Sequence, residues 1–120
     1  MGRADYRNIE EETRANRMYR RVLRTYPGKT QLVLMSLEPG EDVPAEIHRR
    51  AVQFIRVEGG TGRLDMGGRS YRLRDGVSVM VPPNTEHYIR NTSRTKRLQM
   101  YILYSPPQDA ANVRQRRQPR

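Results

Sequence analysis

Between Met18 and Ser105 short apolar runs alternate with clusters of turn-forming residues. MYRRVLRTY, QLVLMSL, AVQFIRV, GRLDM, RSYRLR, VSVMVP, EHYIRNT and RLQMYILY are rich in Val, Ile, Leu and Tyr; PGK, EPGED, EGGTG, MGGR, RDG, PPNT and TSRTK separate them. Strand-length runs recurring at about 8–12 residues predict an all-β sandwich or barrel. Residues 32–37 and 98–103 carry apolar side chains on both faces, which predicts strands covered on both sides, the second cover being another subunit or an N-terminal helix. That helix is predicted over residues 9–16, because Asn8 followed by Glu11 has the form of an N-cap and Glu10, Glu11 and Glu12 suit the positive end of the dipole. Residues 108–120, QDAANVRQRRQPR, hold four arginines and one aliphatic side chain large enough to bury, which predicts a mobile tail. The expected organisation is an N-terminal segment 1–17, a β-domain 18–107 and the tail 108–120.

At 120 residues there is room for one core. The absence of cysteine removes disulfides, thiolate metal sites and thiol nucleophiles. No apolar run approaches the roughly 20 residues that span a bilayer. The start, MGRADYRNIEEE, lacks the apolar block of a secretory leader, and Tyr6 stands where a myristoylation signal prefers Ser or Thr. A soluble cytoplasmic protein is the expectation. The net charge of +10 should attract polyanions. Of the 23 basic residues only Lys29 and Lys96 are lysines, however, and the arginines are scattered, as a GC-rich coding bias would also produce. Arg114, Arg116, Arg117 and Arg120 could touch nucleic acid non-specifically, or form a solvated tail.

The chemistry centres on EIHRRAVQF, residues 46–54. Along a strand Glu46 and His48 point to the same side, and after a turn at residues 49–51 Gln53, Ile55 and Val57 share one face of the next strand. Phe54, opposite in phase, is expected on the outer face, where it suits a dimer contact. The only other histidine, His87, follows the turn at Pro82 and Pro83, where a cis bond is conceivable. The glycines at 59, 60, 62, 67 and 68 are read as hairpin turns rather than a phosphate cradle, since no helix follows them.

These residues resemble the cupin superfamily. Its first motif is Gly, five residues, His-x-His, three or four residues, Glu, six residues, Gly; Gly40, Glu46, His48, Gln53 and Gly60 keep every spacing. Its second is Gly, five residues, Pro-x-Gly, two residues, His, three residues, Asn, met by Gly76, Pro82, Asn84, His87 and Asn91. Glu46, Gln53 and Asn84 replace the usual His, Glu and Gly. Within the superfamily the chain looks most like small single-domain cupins of the mannose-6-phosphate isomerase-like group, although those usually continue after YSPP with an acidic, histidine-containing segment that residues 108–120 do not match.

The resemblance implies a double-stranded β-helix, the cupin jelly-roll barrel, with a short N-terminal helix; the doubly covered strands and the outward Phe54 make a homodimer the expectation. It implies one divalent ion (Mn, Fe, Ni or Zn) on Glu46, His48, Gln53 and His87. Two histidines and one carboxylate make a facial set, and Gln53 either completes the sphere or orients Glu46. Glu46 is also the candidate general base, and Tyr88, Tyr101 and Tyr104 are candidates to line a small-molecule pocket or to pack in the core. The expected function is isomerase-, epimerase- or dioxygenase-like chemistry on a small sugar or organic acid. Two further readings stand beside it: a site without metal in which Glu46 pairs with an arginine such as Arg50 or Arg56, and a non-catalytic binding or structural cupin whose basic surface and tail attach it to a polyanion or a larger assembly.

Overall fold

The computed structural model of the protein describes residues 2–119, so the basic-tail reading of Arg120 lies outside the described residues. Helix α1 spans Ile9–Ala15, and ten strands follow: β1 Arg20–Tyr26, β2 Thr30–Leu37, β3 Asp42–Glu46, β4 Val52–Gly59, β5 Gly62–Met66, β6 Arg69–Leu73, β7 Ser78–Val81, β8 His87–Asn91, β9 Leu98–Ser105 and β10 Arg114–Gln115. They form a six-stranded sheet in the order β10-β1-β2-β9-β4-β7 and a four-stranded sheet in the order β3-β8-β5-β6, with antiparallel pairing throughout. The sheets enclose one core that includes Val33, Met35, Ile55, Leu64, Ile89 and Met100. This is the expected jelly roll.

The helix begins as its sequence dictates: Asn8 Oδ1 accepts from the Glu11 N–H at 3.0 Å. At the other end the Gln99 side chain of β9 donates to the carbonyls of Arg14 and Asn16, which satisfies groups a helix end leaves open. The helix is thereby tied to the outer face of the larger sheet. Of the two strands expected to be covered on both sides, β2 is buried continuously over residues 33–37, whereas β9 alternates between buried and half-buried positions.

Turn chemistry explains two motif positions. Gly60 lies at φ +93°, where a side chain would also run into the backbone of Arg97. Asn84 lies at φ 57°, a left-handed conformation that asparagine tolerates better than most residues, which accounts for its standing in place of glycine. The cis peptide bond is at Ser105–Pro106, not at Pro82–Pro83.

The segment expected to be a mobile tail departs from that reading. β10 pairs with β1, Val22 N–H donates to Val113 C=O at 2.9 Å, and the Gln118 side chain donates to the carbonyl and carboxylate of Asp42. Composition pointed elsewhere because this docking rests on backbone groups, amide side chains and the Arg20–Asp109 ion pair, not on an apolar face.

Candidate metal centre

Glu46 ends β3 and His87 begins β8, and the two residues are direct partners in the ladder. His48 lies in the loop after β3, not on a strand; its carbonyl accepts from Asn84 N–H at 2.8 Å, which holds the loop against the turn leading to His87. One ligand atom from each of Glu46, His48 and His87 falls within 4.8 Å of the others. Glu46 Oε1 stands 3.3 Å from His48 Nε2 and 3.7 Å from His87 Nε2. Glu46 pairs with neither Arg50 nor Arg56, and the latter sits 3.5 Å from Glu58.

The far side of each ring fixes what faces inward. His87 Nδ1 is 3.0 Å from Thr85 C=O, which can only accept, so Nδ1 carries a hydrogen. His48 Nδ1 is 3.1 Å from Gln108 Oε1, again an acceptor. In the neutral rings both Nε2 atoms therefore present lone pairs toward a carboxylate oxygen. Neither makes a hydrogen bond, and both are shielded from solvent, as is the equally unpartnered Gln53 Oε1. The two Nε2 atoms and Glu46 Oε1, converging without a hydrogen among them, repel unless a proton or a cation sits between them. Ligands of an ion at about 2.1 Å lie roughly 3.0–3.5 Å apart, close to the 3.3 and 3.7 Å that separate Glu46 Oε1 from the two Nε2 atoms. The donor set fits a divalent transition ion.

Without such an ion, protons relieve the conflict. Burial alone would raise the Glu46 carboxyl, but His48, His87 and Arg20 outweigh it and bring the group down to about 2. Burial alone would lower the His87 imidazole, but Glu46 and the Thr85 carbonyl hold it above its ordinary value.

Gln53 is buried on the inner face of β4, in register with Tyr104. Tyr104 packs edge-on against His48, with ring centroids 5.3 Å apart, so of the three tyrosine candidates this one joins the centre. Tyr88 faces outward and donates to Asp42 Oδ2 at 2.8 Å. Tyr101 lines a groove on the outer face beside Ile9, Leu32 and Leu103. Both follow from strand alternation, since each neighbours an inward residue, His87 and Met100 respectively.

Three residues that sequence reasoning did not select complete the surroundings. Gln108 meets the Nδ1 edge of His48 through its side-chain oxygen. Arg20, on β1, is drawn in by Asp109 at 3.1 Å and lies 3.4 Å from the Tyr104 hydroxyl. Burial pushes that hydroxyl up from its usual range. A cavity of about 370 Å³ opens beside Glu46 and His48, walled by Tyr19, Arg20, Asp109 and Gln115. Among so many scattered arginines and polar residues nothing distinguished these. The one available signal was that the residues immediately after YSPP, Gln108 and Asp109 among them, depart from the family pattern.

The cupin domain family model matches residues 33–104. An uncharacterized protein of Acanthamoeba polyphaga mimivirus is 44% identical over 103 residues, covering 82% of this chain and 63% of that protein. The uncharacterized protein YrkC of Bacillus subtilis is 39% identical over 107 residues, covering 83% of this chain and 56% of YrkC. The chain thus spans less than two thirds of the length of either curated relative. A crystal structure of a Bacillus halodurans protein, 38% identical, superposes with a TM-score of 0.89 over 95% of this chain and 89% of that one. With motif, barrel and family match in agreement, the chain belongs to the cupin family.

Proposed function

We propose that this cupin holds one divalent transition ion (Mn, Fe, Ni or Zn) on His48, His87 and Glu46, and acts on a small sugar or organic acid that chelates it from the adjoining cavity. The observation that carries the reading is the convergence of both imidazole Nε2 atoms on one carboxylate oxygen, at 3.3 and 3.7 Å, with the Nδ1 edge of each ring turned to an acceptor. Gln53 supplies a further oxygen, as ligand or as partner to Glu46. A bound ion there would polarise a chelated pair of oxygens as a Lewis acid. Thr85 fixes the ring of His87, and Tyr104 and the inner face of β4 exclude water on one side. With its carboxyl at about 2, Glu46 is ionised and a weak base, which favours the ligand role over the proton-shuttling one. Attachment to a polyanion through a free basic tail has less support, because residues 108–119 lie along the barrel.

Elemental analysis of protein purified without added ions tests this. About one transition ion per chain is expected, lost in Glu46→Ala and His87→Ala variants whose circular dichroism is unchanged. Wild-type protein that is isolated metal-free and takes up neither Mn²⁺ nor Zn²⁺ would contradict it.

The outer face of the larger sheet supports a homodimer as the working form. Leu32, Leu103, Phe54 and Met80 are successive register partners across four strands, and Met80 is 61% exposed. A row of apolar side chains this continuous is expected to be covered by a second copy.

A further inference from the structure

Among the described residues outside 33–104, the stretch that carries the family match, one makes a side-chain hydrogen bond to Glu46, His48 or His87: Gln108. Its amide orientation is set by what surrounds it. Nε2 lies 3.1 Å from the carbonyls of both Pro106 and Pro107, so the opposite assignment would aim an oxygen at two oxygens. Oε1 must therefore be the atom facing His48 Nδ1 at 3.1 Å. The backbone behind it is held as firmly. Gln31, fully buried, accepts from the N–H groups of Gln108 and Asp109 at 3.3 and 3.0 Å and donates to Asp109 C=O at 2.9 Å.

An acceptor fixed on Nδ1 admits only the tautomer with its hydrogen there, and leaves the Nε2 lone pair for the centre. Of the two imidazoles, His87 obtains this from its own turn, through Thr85. His48 sits in a loop and has no such local partner; its partner is 60 residues away.

We propose that Gln108 is a positioning residue of the metal centre, and that the segment carrying it sets the tautomer and ring orientation of His48. The part concerning ion affinity rests on the proposed metal-binding function; the part concerning the tautomer does not. Because binding and docking share His48, each strengthens the other to the same degree. Outer partners of metal-bound imidazoles typically change affinity by about 10–100-fold when removed.

Two variants test the assignment: Gln108→Met, which keeps length and volume but removes the acceptor, and Gln108→Glu, which keeps an acceptor for Nδ1 but loses the donor to Pro106 and Pro107 and so separates the two roles of the amide. In metal-free protein, nitrogen-15 NMR of the imidazoles should show His48 with its hydrogen on Nδ1 in the wild type and in Gln108→Glu. In Gln108→Met it should show a shift toward the other tautomer. Zinc affinity, measured by competition with a chromophoric chelator, should fall about 10–100-fold in Gln108→Met and be retained or raised in Gln108→Glu. A merely structural role for Gln108 would not be rescued by a charged acceptor. An unchanged tautomer together with unchanged affinity in Gln108→Met overturns the assignment. Wild-type protein that binds no zinc overturns the metal reading instead, and the tautomer comparison still decides the role of Gln108.

Discussion

Gln31→Leu should release the C-terminal segment while leaving the barrel folded. Gln31 is completely buried in β2, and its carboxamide makes three hydrogen bonds to the backbone of Gln108 and Asp109, besides one to Thr25 Oγ1. Leucine fills nearly the same volume and has none of these groups. At about 1 kcal/mol net for each lost bond, docking is weakened by about 3 kcal/mol, and the undocked population rises by roughly a hundredfold. Trypsin reads this directly, because Arg114, Arg116 and Arg117 lie in the segment. Cleavage of the native protein, followed by intact mass, should accelerate by about that factor wherever reclosing outpaces cutting. Near-ultraviolet circular dichroism of the remaining barrel should stay unchanged. Wild-type cleavage rates in a folded Gln31→Leu protein would refute the inference that this amide clamps the segment.

Three further outcomes are expected. Without metal, the Glu46–His87 pair gives a stability optimum with two flanks. The lowered Glu46 carboxyl stabilises the fold above its ordinary 4.5, a contribution lost as pH falls toward 2, and the raised His87 imidazole stabilises it below 6.5, a contribution lost as pH rises through its folded value. Melting temperatures in EDTA should therefore decline above about pH 6.5, whereas zinc should reverse that slope because metal binding competes with protons; parallel profiles with and without zinc would count against both. Asn91→Leu should cost about 4 kcal/mol in urea denaturation, since Asn91 is buried with Nδ2 within reach of three carbonyls (Leu37, Glu38, Lys96) and Oδ1 accepting from Ser93; a loss below about 1 kcal/mol would show that the turn satisfies itself. Phe54→Glu should shift the protein from dimer to monomer in light scattering, and a wild-type monomer would dismiss the outer face as an interface.

The barrel was legible because its information is local. Two-residue alternation, turn clusters and the Asn8 cap each act within a few positions, and all of them reappear as elements. His48 and His87 could be placed together because the motif spacing encodes a ladder, and the Glu46–His87 pairing is that ladder. The tyrosines were only partly readable. Strand phase alone would have sent Tyr88 and Tyr101 outward and Tyr104 inward with Met100 and Ile102, while the packing of Tyr104 on the loop residue His48 is what no periodicity records. Least legible was the C-terminal segment. Besides backbone pairing and the Arg20–Asp109 ion pair, its attachment runs through Gln31, Gln108 and Gln118, uncharged amides whose partners lie more than seventy residues distant in two of the three cases, whereas composition weighs only apolar content and charge.

The most direct test is anomalous diffraction from crystals of the protein grown without chelators, recorded at the absorption edge of the ion that elemental analysis finds. A single peak is expected within about 2.0–2.3 Å of His48 Nε2, His87 Nε2 and a Glu46 oxygen. A peak elsewhere, or Glu46 hydrogen-bonded directly to both imidazoles in protein grown with saturating zinc, would contradict it.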